Sequence, residues 1–282
     1  MDKKYTLLLV GLLCLTLASG WFLWRLLQLE KGTTVTFLNV GQGDAILIAQ
    51  GRNQVLIDGG RTGKELLARL GRNIPFWDRT IEIVIATHPD ADHIGGFPGL
   101  LRSYRVEQVL TTGAESETEI FWLFQWSIKQ YVQHEALKIF RGTKITFPAG
   151  GELLVEHPLT PLPKETADAN SGSIVARFVY GETSFLLTGD LPHEETVLPD
   201  ETVATVLKVA HHGSRYSTSE AFLDRIRPKE AVISVGENNY GHPAPEVLER
   251  LERFGTVVYR TDQRGDIQYR CTPALNGCQQ VP

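Results

Sequence analysis

The chain lacks the charge excess of a nucleic-acid-coating protein. Lys and Arg total 28 against 33 Asp and Glu, so the formal net charge is -5 and there is no global positive field. A polyanion would have to be held by local charge or by metal. Thiols are also scarce: three cysteines in 282 residues cannot build a cysteine-ligated zinc site at their spacing. Cys14 lies in an apolar run with no lipid-attachment pattern beside it. Cys271 and Cys278 bracket CTPALNGC, which is compatible with a disulfide that pins the tail or with two free thiols. There is no low-complexity tract and no internal repeat, which excludes a disordered binder or a solenoid. What remains, 42% hydrophobic and 22% charged, describes one large α/β unit with an appendage.

The appendage is the segment with no charge at all. Tyr5 to Trp24, YTLLLVGLLCLTLASGWFLW, is long enough to cross a bilayer as a helix. Lys3 and Lys4 precede it and Arg25, Glu30 and Lys31 follow, a small bias that favours the N-terminus inside and the body outside the cytoplasm. Ala18-Ser19-Gly20 resembles a signal-peptide cleavage site, which would release a secreted body. An uncleaved anchor fits better, because signal-peptide apolar regions run to about 7–15 residues. The expected division is 1–30, anchor or signal segment, and 31–282, body.

Within the body, TVTFLNV (34–40), DAILIA (44–49) and QVLID (54–58) read as short antiparallel strands, since parallel crossovers need a dozen residues. A helix is predicted over Gly63 to Leu70, a buried strand over Ile81 to Ala86, and a helix over Ile94 to Tyr104 that opens on Gly95 and Gly96 with free N–H groups. Glu119 to Val132, rich in aromatics, reads as a packing helix. Further strands are predicted at 145–147, ELLVEH, 173–180, 183–190, VATVLKVAHH and 231–236, with helices at Thr218 to Arg227 and Pro245 to Phe254. Two strand-rich halves each ending in helices suggest an α/β four-layer αββα sandwich with its site at the strand ends.

One strand ends in THPDADHIGG, which packs His88, Asp90, Asp92 and His93 into six positions. So many lone pairs on one loop call for a cation or several donors among them. LIDGG, LLTGD, LKVAHHGS and ENNYGHPAPE repeat the design, delivering Asp58, Asp190, His211 with His212, and His242 to loops. A single strand ending in Asp or Gly is ordinary turn chemistry. Five such endings holding most of the histidines point to a metal site.

FLNVGQGDAILI, LIDGG, THPDADHIGG, LLTGD and LKVAHHGS together resemble the metallo-β-lactamase superfamily of hydrolases, and more narrowly the hydrolase domain of ComEC-type DNA-internalisation competence proteins. The resemblance runs from about Thr33 to Tyr269. It implies that residues 31–282 form a metallo-β-lactamase-like hydrolase domain preceded by one N-terminal transmembrane helix, with two divalent metal ions, Mn²⁺ or Zn²⁺. His88 would bind the first metal and Asp92 and His93 the second. Asp190 would bridge, and one of His211 and His212 would complete the second. Asp90 stands where the superfamily loop has a histidine, making the site richer in oxygen and shifting preference toward manganese. The superfamily's intermediate histidine has no clear counterpart. His157 is a candidate, His134 a weaker one, and Asn170 and Ser173 resemble the branch's polar pair and would line the first metal or the substrate.

A bound cation brings the pKa of water toward neutrality, so hydroxide serves as the nucleophile. Asp190 and Asp92 are then catalytic candidates, with Asp190 as general base. The spare histidine of the His211 and His212 pair would neutralise the transition state or protonate the leaving group. Asp58 would support a ligand histidine by hydrogen bonding. Lys208 is read as a phosphate contact or a solvated strand lysine, His242 as a substrate contact or late ligand, and His193 as a helix-start residue. The expected function is a metal-dependent phosphodiesterase, a nuclease acting on DNA during uptake, with a separate channel protein as partner. The alternatives are a phosphorylcholine or teichoic-acid esterase and a non-catalytic binding module. A face of Trp or Tyr beside the site would favour choline, and a groove of Lys129, Lys138, Arg141 and Lys144 a nucleic-acid backbone.

Overall fold

The computed structural model describes residues 3–29, 32–163 and 168–281. Helix α1 (Lys3–Leu29) includes a window, Lys3–Leu23, with mean hydropathy 2.1 and none of its described side chains buried, so by length and composition it could cross a membrane. The flanking Glu30 and Lys31 lie outside the described residues.

The remaining chain forms two sheets. The first has the order β15 (Gly277–Val281), β14 (Ile267–Thr272), β1 (Thr33–Phe37), β2 (Ile46–Gln50), β3 (Asn53–Ile57), β4 (Thr80–Ala86), β5 (Arg105–Thr111) and β6 (Leu137–Lys138). As the short connections require, β1, β2 and β3 are antiparallel, while β3, β4 and β5 are parallel. The second sheet runs β13 (Val257–Arg260), β12 (Glu230–Ile233), β11 (Val206–Lys208), β10 (Thr183–Leu187), β9 (Val175–Tyr180), β8 (Glu152–His157) and β7 (Lys144–Thr146). Between the sheets Phe37, Phe178, Phe185 and Tyr269 are buried and meet edge to face or tilted. Deleting one such ring typically costs about 3–5 kcal/mol.

Helices α2 (Gly63–Asn73), α4 (Phe97–Ser103) and α5 (Glu119–Tyr131) cover the first sheet through Leu66, Leu70, Phe97 and Phe124, while the short α3 (Ala91–Ile94) lies within the THPDADHIGG segment that follows β4. The second sheet is covered by α7 (Glu220–Ile226) and α8 (Pro245–Arg253) through Phe222, Leu223, Val247 and Leu251, with the single turn α6 (Glu194–Val197) at the margin. The four layers therefore run helix, sheet, sheet, helix, as the pattern of the sequence implied.

Three local expectations are corrected. The helix over 94–104 is two helices, α3 and α4, broken at Gly95 and Gly96. A Cβ on Gly96 would sit 2.0 Å from the Gly59 carbonyl, so the β3 loop passes where a side chain would be. The N–H groups of these glycines are not free: Gly95 donates to Ala91 O and Gly96 to Gly60 O. The strand over VATVLKVAHH is only Val206–Lys208, after which the backbone turns through left-handed His211 (φ 49) and His212 (φ 54). Cys271 and Cys278, directly opposed on β14 and β15, form a disulfide, leaving Cys14 as the free thiol.

Candidate metal centre

Parallel strands β3, β4 and β11, with β10 beside them, all end at one edge of the sandwich. The loops that follow deliver Asp58, His88 to His93, Asp190 and His211 to His212 to a common point. Three histidines there are fixed by the same device, in which one ring nitrogen is held by a neighbour and the other faces inward. His88 Nδ1 lies 3.0 Å from Thr87 Oγ1 and 3.4 Å from Ser173 Oγ. His93 Nδ1 is 2.7 Å from Asp58 Oδ2. His212 Nδ1 is 2.9 Å from the Ser234 carbonyl. Asp58 is itself clamped by the backbone N–H (2.8 Å) and hydroxyl (2.7 Å) of Thr87, so the β3 and β4 ends lock together.

The inward nitrogens meet carboxylates. His93 Nε2 is 3.3 Å and His212 Nε2 3.5 Å from Asp190 Oδ2, and His212 Nε2 is 3.4 Å from Asp92 Oδ2. Among the described residues, the Nε2 atoms of His88, His93 and His212, with Asp190 Oδ1 and Asp44 Oδ1, are buried without a hydrogen-bond partner. Each unpaired buried polar atom costs about 1–3 kcal/mol, so five in one pocket call for a common partner. Two sets of ligand atoms, His88 with His93 and Asp190, and Asp92 with His93 and His212, each fall within 4.8 Å of one another. This mix of imidazole and carboxylate fits a divalent cation.

The electrostatics fit as well. Burial holds His88 well below the ordinary histidine range, with neighbouring His93 adding to the effect, which leaves the ring neutral as a ligand must be. Burial also opposes charge on His93 and His212, but Asp190 and the other carboxylates outweigh it and raise both. Burial would push Asp190 up, yet His93, His212 and Lys208 hold it well below the carboxylate range. Burial raises Asp58 and Asp90. The centre is a concentration of negative charge drawing protons onto His93 and His212, and a cation would compete for the same sites.

His212 stands in the buried cluster, whereas His211, one-third exposed, sits at the rim with Nε2 3.9 Å from Asp190 Oδ2 and its ring 5.4 Å from that of His242. Asp90, 3.7 Å from His88 Nε2 and nearly half exposed, is also at the rim. Asn170 opens a 3₁₀ turn, and its buried Oδ1 has no hydrogen-bond partner among the described residues. His157 is held through Nδ1 by the Ser173 carbonyl (2.9 Å) and falls outside the ligand groups found among the described residues. His193 caps the start of α6. Helix α5 does pack, through Phe121 and Phe124, but Trp122 and Trp126 are exposed.

Three expectations about substrate contacts change. Lys208 is neither solvated nor free for phosphate: it is fully buried, ion-paired with Asp44, donating to Gly189 O at 2.8 Å and lying 3.6 Å from Asp190 Oδ1. Ser173 is fully buried too, receiving the Asp190 N–H at 3.2 Å, so it braces His88 and Asp190 where a substrate contact was expected. Arg141 and Lys144 pair with Glu201 and Glu152, and Lys129 lines a groove with Trp122 and Trp126 while Arg141 lines a different one with Arg177, so those two basic residues do not share a groove.

Asp44 is the residue the sequence reading passed over as the first residue of a strand. It is buried against Lys208 and approaches His93 and His212 at 3.9 and 3.7 Å. Its signal was an acid opening an otherwise apolar strand directly after Gly41-Gln42-Gly43. Gly43 has φ +130, and a Cβ there would lie 2.2 Å from the Asp92 carbonyl, so this turn rests on the metal loop itself.

The family model for the metallo-beta-lactamase superfamily matches residues 38–237. ComE operon protein 3 of Bacillus subtilis is 35% identical over 94% of this chain, and Recombination protein 2 of Haemophilus influenzae 31% over 86%. Competence protein ComA of Neisseria gonorrhoeae is 29% identical over 85%. The chain spans only about a third of these relatives, 36, 29 and 32% of their lengths. The metallo-beta-lactamase fold protein YhfI from Bacillus subtilis superposes with a TM-score of 0.57 at 14% identity, over 86% of this chain and 100% of that one. A diphosphatase of the PhnP family gives 0.50 at 14%, over 86% and 99%. At such identity the structures show the fold alone. Fold, site and family match agree: the chain belongs to the metallo-β-lactamase superfamily of hydrolases and has ComEC-type competence proteins among its homologues.

Proposed function

We propose that this chain is a metal-dependent phosphodiesterase that cleaves DNA during uptake, using two divalent cations, Mn²⁺ or Zn²⁺, and working from a membrane anchor with its body outside the cytoplasm. The observation that carries the reading is the convergence of three unpaired Nε2 atoms and two carboxylates beneath an open rim. Homologues named for competence and recombination favour DNA as the polymer and a channel protein as partner.

His88 and Asp190 would hold one cation and Asp92, His212 and Asp190 the other. His93 Nε2 belongs to both groups but has one lone pair and serves one cation only. When bound, the cations supply Lewis acidity, polarising a phosphoryl oxygen and making water nucleophilic near neutral pH. Asp190 orients the attacking water and accepts its proton. His211 at the rim protonates the leaving alkoxide, with His242 beside it contacting the substrate. Exposed Tyr240, 5.9 Å from the His242 ring, offers a face on which a base can stack. Lys208 and Asp58 hold ligands in place from beneath.

The test is hydrolysis of single- and double-stranded DNA and of bis(p-nitrophenyl) phosphate by the full chain with Mn²⁺ or Zn²⁺. Asp190→Ala and His212→Ala should lose metal and activity together. His211→Ala should keep metal while kcat falls about 10²–10⁴-fold. Turnover of the small diester without DNA would move the reading to a choline- or teichoic-acid-type ester, for which Tyr240 offers a cation–π face. Metal binding with no turnover of any ester would leave a binding module.

A further inference from the structure

We infer that the end of the body opposite the metal centre lies against the bilayer, with the Phe76-Trp77 turn seated among lipid headgroups. This rests on reading α1 as a retained anchor. The strand register defines that end. Thr33, where β1 begins, pairs with Gln50 at the end of β2 and with Cys271 near the end of β14, whereas Asp58 and His88 follow the far ends of β3 and β4. The apolar window of α1 ends at Leu23, about 9 Å of helix before Leu29, and four residue steps then separate Leu29 from Thr33, a further reach of at most about 14 Å. The anchor therefore holds this end of the sandwich near the membrane surface.

What stands at that end suits such a surface. The turn before β4 is fixed by Asp78, whose Oδ2 accepts from Gln54 Nε2 at 3.1 Å and whose N–H donates to Pro75 O at 2.9 Å. It projects Phe76, 79% exposed, and Trp77, 56% exposed, three strands from Thr33 or roughly 14 Å at the usual strand spacing. On the other side of Thr33, the turn joining β14 to β15 carries Leu275, 51% exposed. Exposed Arg52, Arg79 and Arg105 lie at the same strand ends, Arg79 stacking over Tyr104 and Arg105 pairing with Glu107. A lone exposed apolar residue needs no partner, but an adjacent Phe-Trp pair at the same end as three exposed arginines and beside a membrane tether matches an interface with anionic lipid. The metal centre then opens away from the bilayer, toward a substrate arriving through water.

The experiment uses the full chain in vesicles of phosphatidylcholine and phosphatidylglycerol with brominated acyl chains. An environment-sensitive thiol dye is placed at native Cys14, or at Phe76→Cys, Leu275→Cys or Asn239→Cys in a Cys14→Ala background, with the Cys271–Cys278 disulfide left intact. Asn239 is exposed near the metal-centre end and serves as the reference. The expected result is lipid quenching at position 76 at least twofold above position 239, protection there from aqueous iodide, and weaker quenching without phosphatidylglycerol. Position 275 should follow position 76. Quenching at Cys14 with positions 76 and 275 behaving like 239 would overturn the docking while leaving the anchor in place. No quenching at Cys14 would overturn the anchor and the docking with it.

Discussion

Replacing Lys208 by methionine removes one amine from beneath the metal centre and keeps most of the packing volume. In the native protein that amine is fully buried, ion-paired with Asp44, bonded to the Gly189 carbonyl and 3.6 Å from Asp190 Oδ1. Its charge survives burial because Asp44 and Asp190 outweigh the desolvation, raising its pKa. Without it, Asp44 is left buried beside His93 and His212, whose Nδ1 atoms already serve Asp58 and Ser234. Removing one partner of a buried pair costs about 3–5 kcal/mol, a large share of the ~5–15 kcal/mol that holds a domain folded. At roughly 2–4 °C per kcal/mol, Tm should fall by about 10 °C. Urea unfolding of chelator-treated protein, followed by far-ultraviolet circular dichroism, measures the loss. The double variant Lys208→Met with Asp44→Asn should cost less than the two singles added, because no unpaired charge remains. A loss below about 1 kcal/mol for Lys208→Met, or additive costs in the cycle, would refute the argument that this pair neutralises the floor of the site.

Asp58→Asn keeps an acceptor for Thr87 but withdraws the carboxylate from His93 Nδ1, so metal affinity should fall about 10–100-fold in calorimetric titration, and unchanged affinity would show that His93 needs no such support. Glu194 supplies a pH dependence away from the metal. Its carboxyl is buried, accepts the Thr218 N–H at 3.0 and 2.9 Å, and is pushed up by burial from 4.5 to about 7. The folded state then holds a proton that the unfolded chain releases between pH 4.5 and 7, so stability falls as pH rises through that window, by about 3 kcal/mol in all. Glu194→Gln should flatten this slope in urea midpoints taken from pH 5 to 8, and an unchanged slope would place the titration elsewhere.

Much of this protein is legible in one dimension. Alternating and continuous apolar runs located β1 to β4 and β7 to β12 but not β5, β6 or β13 to β15, short connections made β1 to β3 antiparallel, and five polar strand ends marked the loops that carry the site. The sequence by itself therefore determined the layers, the family and the edge where chemistry gathers, because these follow from local periodicity and from residue types that are expensive to bury unpaired. Tertiary structure decided which members of each loop turn inward. His211 and His212 are adjacent and chemically identical, and two successive left-handed residues, a choice no periodicity encodes, send one ring to the cluster and the other to the rim. Asp44 and Lys208 are 164 positions apart and read alone as a strand opener and a strand lysine. Packing the two sheets face to face brought them together, and only in that dry interior does each become the other's necessary counter-charge.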